Sequence, residues 1–251
     1  MNGIIVVNKP RGVTSFDVVR TIRKLTDIRK VGHGGTLDPI AEGVLLVFLG
    51  KATKKVKYFL DGDKGYFGEM VLGITTDTYD ADGKIINKKE FSENNQITIK
   101  EIKEIFNQFT GEMSQIPPMF SAKHHKGQRL YKLARAGINI KRRPKKVKIY
   151  KIELTDYVNE NPPRVRFAVY CSKGTYIRSL VSDIGERLGC GAHLSQLVRT
   201  YSHPFVLSQA VPLKTIENLV KAGRLGDIVM DVDSFLSVLA KEKDNAPRSL
   251  K

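Results

Sequence analysis

Gly32-His33-Gly34-Gly35-Thr36-Leu37-Asp38-Pro39-Ile40-Ala41-Glu42-Gly43, running directly into Val44-Leu45-Leu46-Val47-Phe48-Leu49, is the stretch around which the chain is organised. Glycines at 32, 34, 35 and 43 permit positive φ and close backbone approach, so residues 32–43 read as a shaped loop lying against something. Pro39 pushes Asp38 out of the helical region towards extended backbone, an arrangement that projects the carboxylate from the loop. Asp-Pro between glycines is also ordinary turn chemistry. The uninterrupted apolar run 44–49 reads as a strand buried on both faces.

The totals bound what surrounds this stretch. A chain of 251 residues with 41% apolar side chains has enough material for a real core. No apolar run approaches the roughly 20 residues of a membrane span. Met1-Asn2-Gly3 leads into strand-like sequence rather than a signal peptide, so a soluble cytoplasmic protein is expected. Cys171 and Cys190 form no CxxC pair and are read as buried thiols. Lys plus Arg number 42 against 26 Asp plus Glu, a net charge of +16, which points to a polyanionic partner. The charge is clustered: six of the eight residues from Lys141 to Lys148 are basic, and Lys51, Lys54, Lys55 and Lys57 recur on a short expected helix. A merely solvated lysine-rich surface is the competing explanation.

Read in order, residues 3–7 form a short buried strand ended by Pro10 and Gly12. A helix follows, capped by Thr14 with Asp17, its apolar face made of Phe16, Val18, Val19, Ile22 and Leu25. Residues 65–74 alternate as a strand that places Tyr66, Met70, Leu72 and Ile74 on one face. The acidic stretch 75–83 fails the EF-hand spacing and reads as an Asx-rich turn between strands. Thr98 with Glu101 caps a second helix whose stripe is Ile99, Ile102, Ile105, Phe106 and Phe109. From about 115 to 148 the character changes to an inserted, partly mobile arm. It carries His124-His125, a short helix near 130–136 and the basic run. Strands at 146–156 and 164–172 lead into a helix opened by residues 173–178, then a strand near 194–200 and a helix from 213 to 222. The polar tail 241–251 is expected to be disordered. One domain over 1–240 is expected, with the arm at 119–148.

Several chemistries are not encoded. The spacing from Gly43 to Gly50-Lys51 is too long for a phosphate-binding loop, and Gly32-x-Gly34 is not completed into a dinucleotide fingerprint. No GxSxG elbow is present. None of the five histidines falls into ligand spacing with a cysteine, so neither a metal nor a cofactor is expected.

Residues 32–39 with Ala41 and Gly43-Val44-Leu45 resemble the signature of the tRNA pseudouridine synthase B (TruB) family. The likeness extends over most of the chain. It takes in Lys9-Pro10-x-Gly12-x-Thr14-Ser15, Lys64-Gly65-Tyr66, Thr76-Asp77-Thr78-x-Asp80, Ile116-Pro117-Pro118-x-x-Ser121-Ala122 and Cys171 through Arg178. The resemblance implies an α+β pseudouridine synthase fold, a mixed and largely antiparallel sheet flanked by helices, with the arm as an RNA-gripping insertion. It implies isomerisation of uridine-55 in the T-arm of tRNA to pseudouridine, without cofactor or metal. No protein partner is implied, and a monomer is expected. Position by position it makes Asp38 the nucleophile, Tyr66 the tyrosine stacked on the target base and Arg178 the arginine paired with the nucleophile. Tyr176 and Leu197 would line the uridine pocket, and His33 would contact substrate. The chain stops about where longer relatives carry a small C-terminal RNA-binding domain, which is therefore not expected in full. The alternative in a different class is a non-catalytic RNA-binding protein on the same scaffold; a second keeps catalysis but changes the target uridine.

Overall fold

The computed structural model describes residues 1–92, 96–121, 124–125 and 127–237, with backbone alone at 124, 125 and 129. The chain opens with β1 (Gly3–Lys9), α1 (Ser15–Thr26), β2 (Val31–Gly34) and β3 (Ala41–Leu49). A 3-10 turn over Gly50–Lys55 leads to α2 (Lys57–Leu60), β4 (Lys64–Leu72), β5 (Ile74–Thr76) and β6 (Ile85–Lys88). Then come α3 (Ile99–Phe109), β7 (Gly111–Gln115), β8 (His124–His125), β9 (Gln128–Arg129) and α4 (Leu130–Arg135). The chain continues through β10 (Lys145–Val158), β11 (Arg164–Cys171), α5 (Ile177–Arg187), β12 (Ala192–Ser202), β13 (Phe205–Val206), β14 (Val211–Pro212) and α6 (Leu213–Lys221).

One sheet runs β14-β1-β3-β12-β4-β11-β10-β7, with β2 paired to β3 and β13 to β12. Only β1 with β14 and β12 with β3 are parallel; the other pairs are antiparallel, so the expected mixed, largely antiparallel α+β architecture is what the chain forms. Helices α1, α3, α5 and α6 cover one face, burying Val18, Val19, Ile22, Ile102, Phe106, Leu180, Ile184 and Ile216 against Ile5, Val7, Leu45, Val47, Met70 and Phe167. A smaller cluster on the other side joins Ile4, Val6, Val44, Leu46 and Phe48 to Phe59, Phe205 and Val232. β1 and β3 are therefore buried on both faces, which explains their unbroken apolar sequence. Both expected capping boxes form, Thr14 with Asp17 and Thr98 with Glu101. Cys171 and Cys190 are buried free thiols. Among the described residues no helix is long and apolar enough to cross a membrane.

The structure corrects four local expectations. Residues 32–43 are not a single loop, because Val31–Gly34 is a strand antiparallel to β3, and β3 already begins at Ala41. The turn is confined to 35–40. Gly34 serves close approach rather than turning: a Cβ there would lie 2.9 Å from the Phe48 ring. Phe16 is 54% exposed, with the Arg20 guanidinium 5.4 Å from its ring centre. At about 100° per residue, the arc set by Ser15, Val18, Val19 and Ile22 leaves position 16 outside it. Ile99 likewise stays exposed at the start of α3. Ile74 does not share the Tyr66 face, since Gly73 turns the chain at φ 81° and Ile74 enters a separate ribbon with β6.

Part of the basic run is sheet. Lys145, Lys146 and Lys148 lie on β10, paired with β7 and anchored by the buried side chains of Val147 and Ile149. Within 119–148 the described residues also form the β8–β9 ribbon and α4. Residues 238–251, which include the expected tail, lie outside the described residues.

Candidate active site

The turn between β2 and β3 is held from three directions. Ser15, the first residue of α1 and 1% exposed, takes the Leu37 N–H at 2.8 Å and donates back to the Leu37 carbonyl at 3.0 Å. Gly12 N–H donates to Pro39 O, and Ala41 N–H to Asp38 O. From β12, the Arg199 guanidinium donates through Nε to Val44 O at 2.7 Å and through Nη2 to Gly35 O at 3.1 Å. A Cβ at Gly43 would sit 2.3 Å from the Arg199 carbonyl oxygen, so β3 and β12 approach as they do only because residue 43 is glycine. Asp38 thus projects from a turn that is fixed at its backbone.

Arg178 meets it from the first turn of α5. The start of that helix is set by Gln115 at the end of β7, whose buried amide accepts from the Tyr176 N–H at 2.7 Å and donates to the Tyr176 carbonyl at 3.0 Å. Arg178 Nε donates to Asp38 Oδ2 at 2.9 Å. Its Nη1 donates to Thr78 O at 2.9 Å and lies 3.2 Å from Asp80 Oδ2, and Nη2 donates to Phe120 O at 2.7 Å. The Arg178 side chain is 5% exposed and that of Asp38 37%, so the carboxylate faces the opening with its cation behind it. Burial raises the pKa of Asp80, partly countered by its Thr78 hydrogen bond and by Arg178.

These groups border a cleft of about 250 Å³ lined by Asp38, Ala41, Lys64, Tyr66, Tyr176, Arg178, Leu197 and Arg199, together with the 173–175 turn. Tyr66 enters from β4 and Leu197 from β12, on strands hydrogen-bonded to one another. Burial drives the Tyr66 phenol up to about 12 in spite of a hydrogen bond from Arg199, and raises that of Tyr176 as well. Both rings therefore stay neutral near pH 7 and offer apolar faces with one polar tip.

Five of the six residues picked out from sequence, Asp38, Tyr66, Tyr176, Arg178 and Leu197, come together around this cleft. His33 does not line it; it lies on β2 opposite Val47. Sequence reading assigned no role to Lys64, Asp80 or Arg199. No local signal marked the last: Arg199 stands in β12 among Ser195, Gln196 and Thr200, and its 1% exposure, which a charged residue seldom has without a reason, is a product of the fold.

The profile described as TruB family pseudouridylate synthase (N terminal domain) matches residues 23–177, and that described as tRNA pseudouridylate synthase B C-terminal domain matches 178–237. The chain is 44% identical to the Dehalococcoides mccartyi protein named tRNA pseudouridine synthase B over 241 residues, 96% of this chain and 78% of that relative. It is 48% identical to the Clostridium tetani protein of the same name over 216 residues, 86% of this chain and 73% of the relative. Among solved structures, a chain of a Cbf5-Nop10-Gar1 complex is similar at 35% identity and TM-score 0.66, covering 86% of this chain and 54% of that one. A chain of an H/ACA ribonucleoprotein bound to a substrate RNA containing 2'-deoxyuridine is similar at 30% identity and TM-score 0.66, covering 91% and 59%.

Proposed function

The chain belongs to the TruB family of pseudouridylate synthases, which makes it an RNA uridine isomerase acting on tRNA, and we propose that it converts uridine-55 of the T-arm with Asp38 as nucleophile. The observation that carries this reading is the Asp38–Arg178 contact at the mouth of a cleft bordered by two tyrosines. Isomerisation must break the bond from ribose C1′ to N1, turn the base and rejoin it through C5. The base has to be detached without being lost. A uridine can reach Asp38 only by leaving its stack, which costs a few kcal/mol. Stacking on Tyr66 and Tyr176, worth about 1–3 kcal/mol per base, offsets part of that cost and keeps the free ring in place. Asp38, ion-paired with Arg178, then attacks as the nucleophile.

Lys145 supports recognition close to this opening. Its Nζ lies beside Gly174, which itself lines the cleft. Phosphates of a T-arm loop seated on the opening would meet Lys145, Lys173 and the basic run. A monomer working in the cytoplasm suffices for this reading, since every residue named comes from one chain. His33 is assigned a substrate contact outside the cleft, on the neighbouring strand.

Mass-spectrometric mapping of an unmodified tRNA transcript after incubation with the protein alone tests the proposal. Pseudouridine at position 55 and at no other position is expected from the wild type. Asp38→Asn should give none while binding tRNA with unchanged affinity, because it removes the nucleophile and keeps the shape. Residual turnover by that variant above about 1% of wild type would remove Asp38 from the mechanism.

A further inference from the structure

The cleft contains more positive charge than its carboxylate requires, and the cations are not equivalent. Arg178 is engaged by Asp38, Asp80, Thr78 O and Phe120 O. Arg199 is engaged by Val44 O, Gly35 O and Tyr66. Lys173 is half-exposed at the rim and paired with Asp61 at 2.6 Å. Lys64 differs from all three. It is 7% exposed, stands two residues before Tyr66 on the same face of β4, and lines the cleft with Asp38. Among the described residues its ammonium makes one hydrogen bond, to Gly62 O at 2.7 Å. An ammonium has three donors. A buried cation with unused donors inside a cleft is arranged for an occupant that brings negative charge.

Resting on the isomerase reading above, we propose that the Lys64 ammonium donates to a carbonyl oxygen of the detached pyrimidine and carries its negative charge while the ring turns. The demand for such a partner does not depend on where Asp38 attacks. When the C1′–N1 bond breaks, its electron pair stays on the pyrimidine, delocalised over N1 and the carbonyl oxygens. C5 then forms the new bond to C1′, the C5 proton leaves, and N1 takes up a proton, so there is no net gain or loss of protons or electrons. Lys64 keeps its own proton throughout. Preorganised donors aimed at charge that develops during reaction are worth roughly 10²–10³ in rate.

The surroundings of Lys64 give this role a pH signature. It is faced by Arg199 from β12, by Asp61 and Asp63 at the turn before β4, and by Cys171 from β11. Burial, then Arg199, lowers its pKa to about 8. The active form is the ammonium, so kcat/KM should decline as pH rises through about 8.

Single-turnover conversion of a T-arm hairpin by Lys64→Met is the test. We expect a rate about 10²–10³-fold below wild type, a hairpin Kd within about twofold, and no decline above pH 8. Alkylating the Lys64→Cys variant with 2-bromoethylamine rebuilds an ammonium of nearly the same length and should restore most of the rate, which a packing role would not do. K64M within about threefold of wild type across the pH range, or a loss that alkylation leaves untouched, overturns the proposal. The wild type run in parallel separates the two readings. No pseudouridine from it refutes the function and this role together, whereas an active wild type beside an equally fast K64M refutes the role alone.

Discussion

At the scale of single residues, the site depends on where one carboxylate stands. The Asp38 turn is fixed at Leu37, Pro39 and Gly35 by Ser15, Gly12 and Arg199, and its side chain by Arg178, so there is little room for adjustment. Asp38→Glu should therefore fail almost as completely as Asp38→Asn, since an added methylene displaces the carboxylate by about 1 Å, enough to cost about 10²-fold. Single-turnover rates with binding measured separately check this; a glutamate variant within tenfold of wild type would show a looser site. A second residue, Asp183 on α5, affects stability rather than chemistry. Burial, then Glu186, pushes its carboxyl up to about 6 from 3.8. A folded-state pKa raised above the unfolded value means that the fold favours the protonated acid. That stability is present below about pH 4 and is lost as pH rises through 6. Asp183→Asn should thus raise stability by about 1–3 kcal/mol at pH 8 and by nothing at pH 4. Denaturant unfolding at both pH values tests the sign; an equal effect at the two would show that the charge is not the cause.

At the scale of elements, helix placement follows from sequence with little loss. The two capping boxes and the stripes they introduce were readable because caps and 3.6-residue periodicity are local properties. Phe16 and Ile99 were misplaced because the width of the buried arc depends on what packs against it. The basic run shows the same division. Its composition was legible, and so was a strand from Lys146 onward, because Val147 and Ile149 alternate with Lys146 and Lys148; that β10 begins one residue earlier, at Lys145, and pairs with β7 came from the fold. Strand membership fixes Lys145, whose Nζ lies beside Gly174 at the cleft. Changing Lys141, Arg142, Arg143, Lys145 and Lys146 together to alanine should raise KM for tRNA and leave single-turnover chemistry unchanged at saturation. The slope of log affinity against log salt should flatten by roughly 0.7–0.9 for each phosphate contact removed. An unchanged slope would mean that the run is solvated surface.

At the scale of the whole molecule, the cleft draws on a turn between β2 and β3, two strands of the main sheet and the start of α5, all held in one packed body. Such a site should work on a substrate that reaches little beyond it. A T-arm hairpin is expected to be converted with a kcat within about tenfold of full tRNA, and EDTA should not affect turnover of the hairpin. Loss of hairpin activity in EDTA, restored by a divalent ion, would place a metal at the site itself, while an effect confined to full tRNA would reflect magnesium folding the RNA. The chain's own order of residues was enough to establish its family likeness, its helices, its doubly buried strands and the candidacy of Asp38, Tyr66, Tyr176, Arg178 and Leu197. These rest on local spacing and on quoted motifs, which survive in one dimension. That Val31–Gly34 is a strand, that Ile74 leaves the main sheet, that Lys64 and Arg199 line the cleft with Asp38, and that Asp80 pairs with Arg178 emerged only from the fold. Those residues are brought together by strand pairing across separations of up to 161 positions, from Asp38 to Arg199, and long-range register is decided by burial and packing rather than by neighbours in sequence.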